Sequence, residues 1–162
     1  MAAPEWTPWR PLRLAEDVPA ATLAEQLDGG QSFRWRLTPD GVWIGVFGRT
    51  VAMLRSGGEG LEWRGLKGAA GTEAALHAYL DADGSQARLS ADLPWRSDPV
   101  LRAAREAFPG LRILRHDPHE TLIGFLCSSN KRILQIRVMV AGLAEKLGDR
   151  LGADFHAPVS YT

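Results

Sequence analysis

Between residues 31 and 64 the chain carries four short β-competent segments, and each is closed by a tight turn. Gln31-Ser-Phe-Arg-Trp-Arg36 alternates, with Phe33 and Trp35 on one face and Ser32, Arg34 and Arg36 on the other. Pro39-Asp40-Gly41 turns the chain into residues 42–47, and Gly48-Arg49 turns it again into 50–55. Gly57-Gly58-Glu59-Gly60 then leads to a fourth strand over 61–64. Strands at this spacing, joined by tight glycine turns, predict an antiparallel meander.

The second half changes period. Thr72 is placed to cap a helix running to about residue 80. Asp98-Pro99 sets a capping side chain before a proline at the first helical position, opening a helix that ends near Phe108-Pro109-Gly110. Asp117-Pro118-His119-Glu120 repeats the device, with Glu120 at the third helical position in a capping-box-like pattern. That helix carries Leu122, Ile123, Phe125 and Leu126 and meets a polar break at Ser128-Ser129-Asn130. From Lys131 the pattern resumes, with Ile133, Ile136, Val140, Leu143 and Leu147 at helical spacing up to Gly148. Strands first and helices after them make the fold α+β.

A length of 162 residues holds one domain, or one domain and a fragment of another. Cys127 is the only cysteine, so there is no disulfide framework and a reducing compartment is expected. No apolar run approaches the ~20 residues of a membrane helix, and residues 1–8 have no signal-peptide character. These features read as a soluble, intracellular protein with no membrane partner. Lys and Arg total 19 and Asp and Glu also total 19, so net charge names no partner. Its distribution is uneven: residues 1–95 hold 9 basic against 12 acidic side chains, whereas 96–137 hold 8 against 4. A positive helix–break–helix segment suits phosphate contacts, although on charge alone a solvated helix surface explains it as well.

Several clusters have plain explanations. His116, Asp117, His119 and Glu120 crowd together, yet two of them serve as caps and no second ligand cluster accompanies them, so no metal site is assigned. Cys127 ends an apolar helix, where a cysteine is usually a small buried hydrophobe. Ser128 and Ser129 lack a nucleophile-elbow setting, and Trp35 and Trp43 fall at core-facing strand positions. Gly29-Gly30 precedes a strand rather than a helix, so it is no phosphate-cradling loop.

Two strings remain. Gly30-Gln-Ser-Phe-Arg-Trp-Arg36 resembles the hallmark of the N-terminal domain of 8-oxoguanine DNA glycosylases. About 80 residues later, Leu111-Arg-Ile-Leu-Arg-His-Asp-Pro-His-Glu-Thr-Leu-Ile-Gly-Phe-Leu-Cys-Ser-Ser-Asn130 is similar to that family's entry into its helix-hairpin-helix domain. Order and spacing both fit. The resemblance implies a twisted antiparallel sheet with packed helices, similar to half of a TATA-box-binding protein, over 10–114. The opening helices of an all-α helix-hairpin-helix domain would follow over 115–162. It implies base-excision repair by a bifunctional glycosylase/abasic-site lyase: the damaged guanine is flipped out, and a lysine attacks the sugar C1′ with an aspartate's help. Duplex DNA carrying 8-oxoguanine is the expected partner of a monomer, with no cofactor and no metal. The expected setting is the bacterial cytoplasm and nucleoid, or the nucleus of a eukaryote.

By the same resemblance, Gly30 matches the glycine whose carbonyl meets N7 of the flipped base, and Asn130 matches the asparagine that bonds the orphaned cytosine. Lys131 and Arg132 stand where eukaryotic members carry Asn-Asn, and would strengthen phosphate contact. Gln135 replaces an arginine that contacts the orphaned cytosine, which puts a strict cytosine check in question. Arg137 lies ~200° around the helix from it and is a poor substitute. The nucleophilic lysine and the aspartate are expected beyond Thr162, and Lys67, Lys131 and Lys146 follow no hairpin pattern, so this polypeptide alone is expected to be inactive. Two other readings are a stand-alone, non-catalytic lesion-binding module and a glycosylase for alkylated bases, the latter disfavoured by the Gly30 string. With its partner helices absent, the last helix would expose Ile133, Ile136 and Val140.

Overall fold

The four segments do pair as strands, and a short fifth completes their sheet. In the computed structural model, which describes residues 3–58, 60–152 and 155–157, the order is β1 (Arg10–Pro11), α1 (Ala20–Asp28), β2 (Trp35–Leu37), β3 (Trp43–Phe47), β4 (Thr50–Gly57) and β5 (Gly60–Gly65). Then come α2 (Thr72–Tyr79), α3 (Ser85–Asp92), α4 (Pro99–Ala107), α5 (Pro118–Ser128), α6 (Ile133–Leu147), β6 (Arg150–Gly152) and β7 (Phe155–His156). All sheet neighbours are antiparallel, in the order β1-β5-β4-β3-β2, and β6 and β7 form a separate hairpin. The architecture is α+β. Glu59 of the fourth turn lies outside the described residues.

One row of residues across the sheet explains how the helices approach it. Trp35 pairs with Gly45, Gly45 with Ala52, and Ala52 with Gly65, so these four project to one face. The Trp35 indole lies over Gly45: a Cβ there would stand 2.2 Å from the ring. At the other end, a Cβ on Gly65 would stand 2.9 Å from Thr72 of α2. The bare backbone thus admits an indole and a helix where side chains would hold them off. Trp35 then stacks on Phe47, and Phe47 on Tyr79 at 4.4 Å between centroids. Leu23, Leu27, Leu54, Leu76 and Leu80 fill the rest of this core.

A second apolar cluster lies between α5 and α6, built from Cys127, Ile136 and Val140 with Phe33, Ile123 and Leu143 against them. It corrects one expectation. Ile136 and Val140 are buried (4% and 7% exposed), because α5 folds back onto that face of α6 and Phe33 closes the end. The bare apolar surface is on the other side, at Leu122, Phe125, Leu126, Leu134 and Val138, with Ile133 partly open beside them.

Helix starts follow side-chain chemistry where it is strong. Asp98 accepts from Val100 and Leu101 N–H, and Asp117 from His119 and Glu120 N–H, each before a proline that has no N–H to satisfy. Thr72 is not a cap: Gly71 takes that place with φ 76°, and Thr72 is buried under the sheet as the first helical residue. The strand expected from residue 31 begins only at Trp35, so Phe33 and Trp35 do not share one face. Helices α1 and α3 and strands β1, β6 and β7 carry no such signals. No helix among the described residues is long and apolar enough to cross a membrane.

Because Trp35 is pinned between Gly45 and Phe47, it has no room to yield. Gly45→Ala is expected to destabilise the fold by about 2 kcal/mol through overpacking, read as a lower urea midpoint with an unchanged denaturant slope.

Candidate nucleic-acid interface

Residues 29–34 run irregularly from the end of α1 to β2, and 30–34 form one wall of a cavity of about 620 Å³. Gly30, Phe33, Arg34, His116, Glu120 and Phe125 are among the residues lining it. Gly30 has φ +104°, a region that L-residues rarely adopt. Space is not the constraint, since the nearest atom to a Cβ there would be Ile133 Cδ1 at 3.9 Å. Backbone conformation is what calls for glycine.

The segment is held by side chains instead of a strand ladder. Gln31 donates from Nε2 to the Arg112 carbonyl at 3.0 Å, and its Oε1 accepts from Leu114 N–H at 3.0 Å. Phe33 lies 3.4 Å from where a Cβ on Gly124 of α5 would stand. Arg34 donates to the His156 carbonyl, and burial lowers its pKa against the opposing pull of Glu120. Asp28, at the end of α1, is in contact with Arg137 of α6.

Glu120 departs from its expected role. Its side chain turns inward as part of the cavity wall, toward Arg34 and the Gly48 N–H, and does not reach back along the helix as a capping-box partner. Burial pushes its carboxyl above the ordinary range, Arg34 and Gly48 N–H oppose that, and the Asp117 charge adds to it. His116 meets Tyr79 edge-on at 5.0 Å, and burial lowers its pKa. Tyr79, raised by burial, receives the Trp35 indole N–H at 3.2 Å. Among the described residues no group of three His, Cys, Asp or Glu side chains is placed to hold a metal ion.

Asn130 sits in the turn between α5 and α6 with φ +55°, exposed, next to exposed Lys131 and Arg132. Gln135 Oε1 accepts from Arg132 N–H at 3.0 Å, so half of this amide closes the start of α6. Ile133, next after Arg132, places its Cδ1 3.9 Å from where a Cβ on Gly30 would stand, and this brings the turn and the Gly30 segment to one side of the molecule. The positive stretch is less available than its sum suggests. Arg112 is buried and donates to the Gly110, Leu80 and Asp81 carbonyls. Arg115 pairs with Asp81 at 2.6 Å, and Arg137 with Asp28.

A family model described as 8-oxoguanine DNA glycosylase, N-terminal domain, matches residues 13–122. The chain belongs to this family. It is 35% identical over 155 residues to an Arabidopsis thaliana protein named N-glycosylase/DNA lyase OGG1, and 31% over 169 residues to the N-glycosylase/DNA lyase of Saccharomyces cerevisiae. These alignments take in 91% and 90% of this chain but 42% of each relative. The chain therefore spans about two fifths of the length of the curated relatives it matches. Among solved structures, the Clostridium acetobutylicum 8-oxoguanine glycosylase/lyase bound to double-stranded DNA with cytosine opposite 8-oxoG superposes with TM-score 0.72 at 28% identity. It covers 85% of this chain and 48% of that one. Its apo form gives 0.73 at 27%, over the same shares.

Glu120 makes a signed pH prediction. A carboxyl that titrates higher in the fold than in the unfolded chain stabilises fully below the ordinary range and loses that contribution as pH rises through its folded value. Glu120→Gln should therefore gain stability relative to the parent between about pH 4 and pH 7, read by urea unfolding at both. His116 acts in the opposite sense in both proteins and cancels in the difference.

Proposed function

We propose that this chain is the lesion-recognising, N-terminal part of a bifunctional 8-oxoguanine glycosylase/abasic-site lyase of base-excision repair. Its partner is double-stranded DNA carrying 8-oxoguanine, bound by a monomer in the nucleoid or nucleus. The observation that carries this reading is Gly30: a backbone position in a conformation suited to glycine, at the wall of a cavity, on the same side as an exposed asparagine and two exposed cations. 8-Oxoguanine carries a hydrogen on N7, and guanine presents a lone pair there. A fixed backbone carbonyl at Gly30 accepts from the lesion and opposes the normal base, a difference of ~1–3 kcal/mol for two acceptors left face to face.

Asn130 offers both donor and acceptor to the orphaned cytosine, and Lys131 and Arg132 meet phosphates. Gln135 has one oxygen engaged at the helix start, which leaves its Nε2 for the opposite base and supports a looser cytosine check than an arginine would give. Residues 10–114 form the recognition domain, and 115–162 open the helix-hairpin-helix domain. The two separate apolar clusters and the bare apolar face of α5 and α6 support that division. No step of bond cleavage is assigned to this chain, since none of its three lysines lines the cavity.

Fluorescence anisotropy with two duplexes differing only in 8-oxoguanine or guanine tests the proposal. The polypeptide should prefer the lesion, and Gly30→Ala should remove about tenfold of that preference. Borohydride should trap no covalent adduct with this chain. Equal affinity of the parent for both duplexes would overturn the lesion-reading role.

A further inference from the structure

The two parts of the candidate site come from opposite ends of the chain. Gly30 follows α1, and Asn130 precedes α6. A carbonyl that reads a base and a side chain that enters the same duplex must keep a set separation, and something has to hold α1 to α6.

One charged contact does so. Arg137 meets the Asp28 carboxylate through Nη2 and also donates to the Asp28 carbonyl at 3.4 Å, across 109 residues of sequence. Asp28 is the last residue of α1, two before Gly30, and Arg137 lies in the second turn of α6, one turn beyond Ile133. The Arg137 side chain is 27% exposed and that of Asp28 42%, so water only partly screens the pair. The last turn of α1 has no basic residue of its own. Arg137 supplies the positive charge that a helix C-terminus favours, and it supplies it from another helix. Ile133, one turn before Arg137, brings its Cδ1 to 3.9 Å from where a Cβ on Gly30 would stand, so α6 also approaches the segment that follows α1.

We propose that Asp28 and Arg137 are positioning residues: their pair sets the Gly30 backbone against the α5–α6 turn, and discrimination between lesion and normal duplex depends on it. This rests on the lesion-reading role proposed above for Gly30. A carbonyl that distinguishes two bases by one hydrogen must not drift, because a carbonyl free to turn away forfeits the hydrogen bond from N7–H that favours the lesion. Support of this kind, one layer behind the contacting group, is what keeps a recognition atom in place. Arg137 could otherwise serve as a plain phosphate contact, and Asp28 separates the two roles. Removing that acid raises net positive charge, so a purely electrostatic role predicts tighter binding to both duplexes alike.

The test uses the full chain with Asp28→Asn, Arg137→Gln and the exchanged pair Asp28→Arg/Arg137→Asp, against duplexes with 8-oxoguanine or guanine opposite cytosine. Each single variant is expected to cut the lesion-to-normal affinity ratio by about fivefold, with normal-duplex affinity changed less than about twofold. The exchanged pair should recover most of the ratio. An unchanged ratio in Asp28→Asn overturns the proposal, and so does an Arg137→Gln that weakens both duplexes equally. If the parent itself shows no lesion preference, the lesion-reading role fails, and amide hydrogen exchange over residues 29–32 decides the pair separately. Faster exchange in Asp28→Asn supports the latch, and unchanged protection overturns it.

Discussion

The two hydrogen bonds of the Gln31 amide are the constraint on which the rest of the site depends. One side chain meets the carbonyl of Arg112 and the N–H of Leu114, two backbone groups that a neighbouring strand would otherwise have to satisfy. It does the work of a strand ladder at the point where residues 29–34 leave the sheet. Leu114 belongs to the core under the sheet, and Phe33, two residues past Gln31, belongs to the cluster between α5 and α6. The clamp therefore lies where the two apolar clusters meet. Removing it strands two backbone groups, the Arg112 carbonyl and the Leu114 N–H, a far larger cost than one solvent-exposed hydrogen bond.

Charge in the second half works mostly inward. The regional excess of basic residues reads as a phosphate-binding surface only while each is counted as free. Arg112 is inside the fold, Arg115 and Arg137 are paired, and Arg96 and Arg105 lie on the Trp95 ring at 4.3 and 4.5 Å. Arg102 donates to the Trp95 and Arg96 carbonyls, and Lys131 and Arg132 stand exposed, directly beside Asn130. A neutral chain can thus present cations at the one turn that needs them. The same economy places Arg34 and Glu120 along one cavity, where the attraction between them works against the desolvation of both.

The meander, both Asp-Pro helix starts and the helix after the polar break were legible because each rests on local chemistry: turn glycines, a capping carboxylate, a 3.6-residue period. Helix α1 was not, since it follows Pro19 with no side-chain cap, and what fixes it is burial of Leu23 and Leu27 against a distant sheet. Thr72 and Glu120 failed for a shared reason. Both satisfy a capping rule by position, and in both tertiary burial takes the side chain elsewhere. Of the proposed site, Gly30 and Asn130 were suggested by the two family strings. The clamp of Gln31 and the pair of Asp28 with Arg137 were not, because contacts across 81 to 109 residues leave no periodic trace.

Gly30 and Asn130 share a backbone property that bears on how such sites can be recognised. Both have positive φ, +104° and +55°, and both residue types tolerate it better than others do. Each residue type thus suits its turn, and each also suits the role proposed for it at a base. Residue type alone could never separate the two explanations. Placement supports the second: two turns about a hundred residues apart, each bent in a way few residues accept, stand on one side of the fold. Ile133 lies against one and Arg137 is tied to the helix end beside it. Turns that served only to reverse the chain would not need to be held to each other.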